Sequence, residues 1–440
     1  LLIFFQPKFF MKKVKNSIGE KPAIGIVGLG YVGLPLALEF SKIYQTIGFD
    51  TNKNRINQLK DGKDKTNEIE KKHLSRKNLL FTSDIKNLSK CNTYIITVPT
   101  PLTKDKKPDL SFLEKASEMV GKYLKKHDVV IFESTVYPGV TEDICMPILE
   151  KISGLKLNKD FFGGYSPERI NPGDKKHRLR NIKKVTSGST KKSAKYIDNL
   201  YKSIIKAGTF MAEDIRTAEA AKVIENTQRD INIALMNEFS MVFNKMGLNT
   251  HSVIEAARTK WNFLPFEPGL VGGHCIGIDP YYLAHKSILS GHRPEMILSG
   301  RKINDSMSFF VSKKIISLMR SKKIEIKMSK ILILGFSFKE NCPDIRNTKV
   351  LEIFNILKKY LCEIDIVDPW VDKDAVKERY GIIISDKVID NKKYTAVISS
   401  VAHKQFLAMS INEWKELVKE DGILYDLKGL IPRELKPLRI

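Results

Sequence analysis

Short apolar segments punctuate the first third of the chain, at residues 23–28, 46–49, 94–98 and 129–132. After the first of them, apolar residues return at helical spacing, at Leu34, Leu38 and Ile43. Segments this short and this uniformly apolar are typical of strands buried on both faces. Their alternation with helical stretches predicts a parallel sheet covered by helices on both sides.

The pattern changes between Ala212 and Met246, where no proline interrupts the chain. The apolar positions there follow helical spacing, at Ala221, Ile224, Ile231, Leu235, Phe239 and Val242. This spacing predicts one or two long helices. Helices of that length could tie two domains together or pair two subunits.

The last part of the chain repeats the arrangement of the first. Its predicted elements are a strand ending in glycine, a helix, a strand and a further strand, at residues 330–335, 348–360, 363–367 and 395–399. We therefore predict an α/β fold of two Rossmann-like doubly wound domains joined by a central region of long helices. The expected boundaries are 21–211, 212–325 and 326–440, and residues 1–20 are expected to be a disordered extension.

The composition is that of a globular protein, with 42% hydrophobic and 28% charged residues among 440. The net charge of +24 comes from lysines spread in short doublets through every segment. Because no long basic block interleaved with aromatic residues occurs, the charge indicates a lysine-rich surface and no nucleic-acid partner. It would still favour doubly anionic ligands such as nucleotides.

The five cysteines are scattered, without a Cys-x-x-Cys pair. This pattern argues against a zinc ribbon or a disulfide framework, so we expect no metal and a reducing, cytoplasmic setting. The segment Leu1–Phe10 is apolar but shorter than the ~20 residues that span a bilayer, and we expect no membrane partner. Met11 could be the true start, which would leave the preceding residues outside the fold.

A Gly-x-Gly-x-x-Gly motif lies between the first strand and its helix, at Gly28, Gly30, Tyr31, Val32 and Gly33. Asp50 follows about twenty residues after it, at the end of the next strand. In this context the glycines predict a dinucleotide site, because they allow a tight turn and a close approach of the backbone to a pyrophosphate.

The acid at the strand end favours NAD over NADP. Asp50 would accept hydrogen bonds from the adenosine ribose hydroxyls and repel a 2′-phosphate. Arg55 works against this preference, since an arginine can hold that phosphate. Two threonines complete the predicted cofactor contacts, Thr100 and Thr135.

Cys275 lies in a glycine-rich segment, between Gly273 and Gly277, with Asp279 shortly after it. A lone cysteine is more often a buried structural residue, and Asp279 could be an ordinary turn residue, so composition leaves both alternatives open. A cysteine beside a dinucleotide site could instead hold an aldehyde covalently, which would let a dehydrogenase continue to the acid.

Six motifs occur in order along the chain, at Gly28–Gly33, Glu133–Gly139, Ser166–Arg169, Glu219-x-x-Lys222-x-x-x-Asn226, Pro268–Cys275 and Phe338–Arg346. Together they resemble the UDP-glucose/GDP-mannose dehydrogenase family over nearly the whole chain from about Lys21. Within it, Arg258–Phe266 and Gly273–Gly277 resemble the UDP-N-acetylhexosamine 6-dehydrogenases of the Vi-antigen and O-antigen type. The UDP-glucose enzymes have a lysine just before the aspartate, whereas this chain has Ile278, which points away from UDP-glucose.

The resemblance implies an NAD-dependent, four-electron oxidation of a UDP-N-acetylhexosamine at C6 to the uronic acid. NAD would bind in the domain at 21–211 and the UDP-sugar in the domain at 326–440. Catalysis and dimerisation would belong to 212–325. The product would feed a surface polysaccharide such as a capsule or O-antigen.

The resemblance also implies catalytic roles. Cys275 would carry a thiohemiacetal and then a thioester, and Lys222 and Asn226, at i, i+4 on one helix face, would stabilise the oxyanions. Glu168 would be the base for the hydrolytic water. From the residues alone, Lys222 could equally be a solvated helix lysine and Glu168 a surface acid paired with Arg169. Two further residues would hold the water and assist proton transfer, Thr135 and Asp279.

The implied substrate contacts share the catalytic residues Glu168, Lys222 and Asn226 and add Arg169, Asn171, Arg258, Phe266, Gly269, Lys339 and Arg346. Lys339 and Arg346 would hold the UDP end by contacts to phosphate and uridine. Arg258 would be offered to the substrate of the other subunit, which assumes a homodimer paired through the long helices.

Three alternatives remain open at this point. They are a two-electron sugar-nucleotide alcohol dehydrogenase with a structural Cys275, a UDP-glucose 6-dehydrogenase, and a non-catalytic protein that senses NAD or a nucleotide. The choice between UDP-GlcNAc and UDP-GalNAc depends on a pocket wall that the sequence does not assign.

Overall fold

The computed structural model describes residues 18, 21–64, 69, 71–170, 178–273, 275–389 and 391–440, without the side chain of Lys72. The expected extension over residues 1–20 and the suggested start at Met11 lie outside the described residues, except for Ile18. The side chain of Ile18 is buried, at 2% exposure, in the core of the first unit. The packed part of that unit therefore includes a residue before Lys21.

The first unit is built on a sheet of eight strands within the described residues. In chain order they are β1 Ala23–Val27, β2 Gln45–Phe49, β3 Leu79–Thr82, β4 Thr93–Ile96, β5 Val129–Phe132, β6 Phe162–Tyr165, β7 Lys184–Gly188 and β8 Thr209–Met211. Their spatial order is β3-β2-β1-β4-β5-β6-β7-β8, and neighbours run parallel except for the antiparallel pair β6–β7. The first six strands thus have the 3-2-1-4-5-6 order of a dinucleotide-binding fold.

Both faces of this sheet are covered, as its uniformly apolar strands predict. In β4, Tyr94 and Ile96 point into one core and Ile95 into the other, and all three side chains are fully buried. The α-helices of this unit are α1 Gly33–Phe40, α2 Lys53–Lys60, α3 Ser111–Gly121, α4 Met146–Ser153 and α5 Lys191–Lys202.

A single helix, α6 at Ile215–Lys245, follows the first unit, where the sequence predicted one or two. Asp214 caps its start by accepting the Thr217 N–H at 2.6 Å. The other helices of the central region are α7 Thr250–Arg258, α8 Asp279–Leu289 and α9 Glu295–Ser321. Arg301 of α9 forms a buried ion pair with Asp230 of α6 at 2.6 Å. In the part of the chain that the structure describes, no helix is long and apolar enough to span a membrane.

One face of α6 carries polar residues that are nonetheless buried, Glu219, Lys222, Asn226, Asp230 and Asn237. Steps of three, four and seven residues separate them, so they return to the same side of an α-helix. The Asn237 amide, for example, bonds to both the N–H and the C=O of Gly269, at 2.8 and 3.0 Å. Burial of this face is tolerated because each of these side chains has at least one polar partner.

The last unit repeats the doubly wound plan around a five-stranded parallel sheet. Its elements are β9 Lys330–Leu334, α10 Val350–Lys359, β10 Glu363–Val367, α11 Lys373–Tyr380, β11 Tyr394–Ser399, α12 Lys404–Leu407, α13 Ile411–Leu417, β12 Val418–Asp426 and β13 Leu438–Arg439. The strand order β10-β9-β11-β12-β13 is the 2-1-3-4-5 variant of such folds. The strands predicted for both units and the helix predicted at 348–360 are confirmed within two residues at their ends, whereas α1 ends at Phe40, before the predicted Ile43.

Candidate active site

A cleft of ≈ 810 Å³ opens at the carboxyl ends of β1, β4 and β5. It is lined by the turns after these strands, by Lys222 of α6, by Cys275 and Asp279, and by Arg346 of the last unit. Doubly wound sheets bind ligands at this end, where the strand order reverses. The cleft therefore joins residues from all three parts of the chain.

The turn between β1 and α1 leaves room for a phosphate. Gly28 has a φ of +98°, which residues with a Cβ rarely adopt. A Cβ on Gly33 would lie 1.8 Å from the Gly28 carbonyl oxygen, so only glycine lets the helix start this close to the strand. Gly30, in contrast, has no atom within 4 Å of its Cβ position and lines the cleft. This open cradle at the start of α1 fits a dinucleotide pyrophosphate.

Asp50 follows β2 and lines the cleft. Its Oδ2 accepts the Leu29 N–H at 2.8 Å, and its Oδ1 accepts the Asn52 N–H at 2.9 Å. The Arg55 guanidinium pairs with Asp64 at 2.8 Å and donates to the Leu29 carbonyl at 3.0 Å. Because Asp64 already neutralises the charge of Arg55, this arginine is less suited to bind a 2′-phosphate.

Cys275 lies where the central region presses against the last unit. Gly273 has a φ of +77°, and a Cβ there would lie 2.7 Å from the Phe338 ring. A Cβ on Gly272 would come within 2.8 Å of the Asn347 carbonyl oxygen. The backbone before the cysteine therefore has no room for side chains. Cys275 is partly exposed and lines the cleft, whereas the four other cysteines are buried.

Asp279 begins α8 and is held against α6. Its Oδ2 accepts the Asn226 amide at 2.6 Å, and the Lys222 Nζ lies 4.0 Å away. Lys222 is 8% exposed, so it is not a solvated helix lysine. Burial raises the pKa of Asp279 to about 6, although Lys222 and Asn226 act in the opposite direction. Burial and then Asp279 raise the pKa of the Cys275 thiol, whereas Lys222 lowers it.

Glu168 is buried on the cleft wall, at 8% exposure. Its Oε1 accepts the N–H groups of Arg169 and Ile170 at 2.6 and 2.5 Å, and the Lys184 Nζ lies 3.5 Å from its Oε2. The Arg169 guanidinium pairs with Glu225 instead, at 2.7 Å. The alternative of a surface acid paired with Arg169 is therefore wrong. Sequence analysis missed Lys184, for which the chain gives no signal beyond a lysine at the start of a short strand.

Arg346 lies beside the glycine loop. Its guanidinium is 4.9 Å from the centroid of the Tyr31 ring and pairs with Asp344 at 2.6 Å. Thr100 and Thr135 line the same cleft. Arg346 thus stands between the two doubly wound units, on the side of the predicted cofactor.

Lys339 lies in a small cavity next to the cleft, with Gly272 and Lys428 in its wall. Gly269 is close by, since a Cβ there would lie 3.4 Å from the Lys428 Nζ. Lys428 also pairs with Glu340 at 3.4 Å. Three lysines line this cavity, Lys339, Lys349 and Lys428, but its volume of ≈ 10 Å³ holds no more than about one water molecule.

The remaining predicted substrate residues lie apart from the cleft or outside the described residues. Arg258, at the end of α7, is exposed and pairs with Glu267 at 2.6 Å. Phe266 is half-buried. Asn171 is outside the described residues.

The last unit has an acid at the corresponding strand end, Asp368, but its carboxylate is already hydrogen-bonded to other groups of the protein. The Asp368 Oδ2 accepts the N–H groups of Phe336 and Ser337 at 2.7 and 2.9 Å and lies 3.0 Å from the His403 Nε2. The side chains of Ser337, Asp368 and His403 are all buried. At this position the last unit has no acid open to a ligand, whereas Asp50 of the first unit lines the cleft.

These features define a dinucleotide-dependent dehydrogenase with a cysteine in its cleft and a second nucleotide-type domain. Three sequence profiles of the UDP-glucose/GDP-mannose dehydrogenase family match the chain in order: the NAD binding domain at 22–205, the central domain at 216–306 and the UDP binding domain at 332–433. The chain belongs to this family and is an NAD-dependent oxidoreductase.

Individual relatives match almost end to end. A UDP-N-acetyl-D-glucosamine 6-dehydrogenase of Salmonella typhi is 55% identical over 422 residues, covering 96% of this chain and 99% of the relative. An enzyme of the same name from Pseudomonas aeruginosa is 52% identical over 418 residues, covering 95% and 99%. The solved structure of the UDP-D-ManNAc dehydrogenase of Pyrococcus horikoshii superposes with a TM-score of 0.83 at 30% identity, covering 93% of this chain and 96% of that one.

We predict that the enzyme uses NAD⁺ at least about tenfold better than NADP⁺, because Asp50 repels a 2′-phosphate. Asp50→Asn should narrow that ratio, measured as kcat/KM for each cofactor. Asp61→Asn, an exposed aspartate at the end of α2, is the matched control and should leave the ratio unchanged. Equal use of both cofactors by the wild type would contradict the prediction.

Proposed function

We propose that the enzyme oxidises UDP-N-acetyl-D-glucosamine at C6 to the uronic acid, with two NAD⁺ per turnover. The observation that carries this proposal is the partly exposed Cys275, which lines the same cleft as the open glycine cradle at Gly30. A nucleophile there serves oxidation to the acid, which a two-electron alcohol dehydrogenase does not need. The names of the two relatives at 55% and 52% identity support the gluco substrate.

The first oxidation makes the C6 aldehyde. The glycine loop at Gly28 and Gly30 would hold NAD⁺, which would supply the hydride acceptor for each of the two oxidations. The proton of the C6 hydroxyl leaves with the first hydride, and Asp279 is the carboxylate that faces this part of the cleft. Its pKa, raised to about 6 by burial, makes it a stronger base than an ordinary aspartate and leaves it ionised at neutral pH.

The covalent step uses Cys275. Its sulfur forms a bond to the aldehyde carbon, and the thiol proton leaves to a base. Because burial raises the pKa of this thiol, a nearby proton acceptor matters. Asp279 has the largest charge effect on the thiol and can accept its proton once the proton from the C6 hydroxyl has passed from Asp279 to water. Lys222 and Asn226 supply a positive charge and an N–H donor to the oxyanion that forms. Loss of the second hydride then leaves a thioester.

Hydrolysis releases the product. Glu168 removes a proton from water, the water oxygen bonds to the thioester carbon, and the carbon–sulfur bond breaks to return the Cys275 thiolate. Thr135, on the same wall of the cleft, helps to hold that water. The UDP end extends toward the cavity of Lys339, where the positive charge lies. Arg346 lines the cleft itself.

The stoichiometry of NADH tests the proposal. Wild-type enzyme should release two NADH per UDP-N-acetyl-D-glucosamine, and Cys275→Ser should abolish this yield while binding NAD⁺ normally, because serine is a poor nucleophile without an activating base. Cys362→Ser, at a buried position that does not line the cleft, is the control. One NADH per sugar would indicate a two-electron dehydrogenase, and none a sensor. Parallel assays with UDP-GalNAc, UDP-glucose and GDP-mannose test the sugar.

The role of Glu168 predicts a change in rate-limiting step. In Glu168→Gln, thioester breakdown should slow by about 10²–10⁴-fold, as for loss of a general base, whereas thioester formation should continue. A burst of two NADH per active site should precede a slow steady rate, and intact-mass measurement should find the sugar nucleotide on Cys275. A fall in rate without burst or adduct would assign Glu168 to binding or to the first oxidation.

We further propose that the chain acts as a homodimer paired through α6. The face opposite its buried polar side exposes large apolar side chains, Ile224, Leu235, Phe239, Val242 and Met246. Their exposures of 37–63% along one stripe are unusual for a helix of a monomer. Arg258, exposed at the end of the next helix, would then reach the substrate of the other subunit.

Phe239→Glu places a charge in this stripe, so light scattering should detect 50.1-kDa monomers in place of dimers. Activity should fall with dimerisation if Arg258 serves the partner's site. Ile383→Glu, at a 79% exposed position of the last unit, is the control and should remain dimeric. A wild-type monomer would refute the proposal.

A further inference from the structure

A buried lysine lies between two carboxylates in the wall of the cleft. The Lys184 Nζ is 2.7 Å from the Glu133 Oε2 and 3.5 Å from the Glu168 Oε2. The three side chains are 3%, 0% and 10% exposed. Glu133 follows β5 and Glu168 follows β6, and both line the cleft. None of the steps above uses Lys184 or Glu133.

We propose that Lys184 is a positioning residue that orients Glu168 toward the hydrolytic water, with Glu133 as the counter-ion that holds Lys184 in place. This inference rests on the proposed role of Glu168 in thioester hydrolysis. In this view, Glu133 and Lys184 act on hydrolysis through Glu168.

The contacts of the Glu168 carboxylate fix both of its oxygens but leave one lone pair of Oε2 available. Its Oε1 is occupied by the N–H groups of Arg169 and Ile170. The Lys184 ammonium approaches Oε2, so the carboxylate cannot turn about its Cγ–Cδ bond without losing contacts at both oxygens. The remaining lone pair of Oε2 is then available to a water in the cleft. A base held this way needs no reorganisation when it takes the proton.

Lys184 is itself anchored. Its closest carboxylate is Glu133, whose other oxygen accepts the Tyr201 hydroxyl. The Tyr201 ring lies 5.3 Å from the ammonium. These groups, with Glu168, are the titratable side chains that face Lys184. Burial lowers the pKa of Lys184, but Glu133 and Glu168 outweigh it and raise the pKa, so the lysine stays charged.

The charge balance explains why Glu168 can still act as a base. Two carboxylates share one ammonium, and the shorter distance pairs Lys184 with Glu133. The pair is neutral, so Glu168 carries the one excess negative charge of the cluster. When a proton moves from water to Glu168, that excess disappears and the buried cluster becomes neutral. A full ion pair between Lys184 and Glu168 would instead weaken the base.

The test compares Lys184→Met with Glu168→Gln and with Lys183→Met, the exposed neighbour that serves as matched control. Lys184→Met should keep the burst of two NADH but slow thioester hydrolysis by roughly 10–100-fold, since ~1 Å of misplacement can cost up to ~10²-fold. Without the cation, Glu133 and Glu168 repel each other, so the midpoint of the pH–hydrolysis profile should rise. Lys183→Met should leave both the hydrolysis rate and that midpoint unchanged, because its side chain is exposed.

A double variant separates charge from orientation. Lys184→Met with Glu133→Gln removes one charge of each sign, so the pH midpoint should return toward wild type while hydrolysis stays slow. This variant also decides the matter if Lys184→Met alone does not fold. If either variant hydrolyses the thioester at the wild-type rate while Glu168→Gln shows a clear burst, the role of Lys184 is overturned and the proposed function stands. Absence of a burst in Glu168→Gln would instead overturn the hydrolytic role of Glu168.

Discussion

The buried polar face of α6 is the constraint on which the rest of the structure depends. At one end Glu219 accepts the N–H groups of Gly139 and Thr141 at 2.6 and 2.9 Å, which ties the helix to the first unit. In the middle Asn226 holds Asp279, and near the other end Asn237 holds the segment before the cysteine. Each contact is costly to break, because a buried polar group without a partner loses about 1–3 kcal/mol. One helix therefore fixes the distance between the cofactor fold and the nucleophile.

The same burial gives the site its chemistry. Low exposure raises the pKa of Glu219 to about 7 and that of Asp279 to about 6, with burial as the leading cause in both, while the buried Glu133 pairs with the Lys184 ammonium. Carboxylates in this range can exchange protons near neutral pH, unlike ordinary surface acids. Lys184 lies beside Glu133 and Lys222 beside Asp279, so their positive charges compensate the negative charges of these carboxylates. Structural support and proton handling thus come from one set of buried groups.

The two doubly wound units share a fold but differ at the acid that ends the second strand of each. In the first, Asp50 accepts the backbone N–H groups of Leu29, in the glycine turn, and of Asn52, and it still lines the cleft. In the last, Asp368 is buried and satisfied by backbone and by His403, so the equivalent position is closed. The difference lies in what fills the space beyond the acid, because both acids end the same kind of strand. Fold repetition therefore does not imply two dinucleotide sites.

The sequence by itself determined the elements and the motifs. Strands such as Val129–Phe132 and the glycine turn at Gly28 follow from local rules, since uniform apolar runs and positive φ need only neighbouring residues. The tertiary structure alone decided that Glu168 meets Lys184, that Asp64 neutralises Arg55 and that Asp368 is occupied. Those contacts join residues that lie on separate elements or loops, and single-sequence periodicity carries no information on which polar side chains meet across a fold. Burial then set the charges, because the environment of a carboxylate depends on everything packed around it.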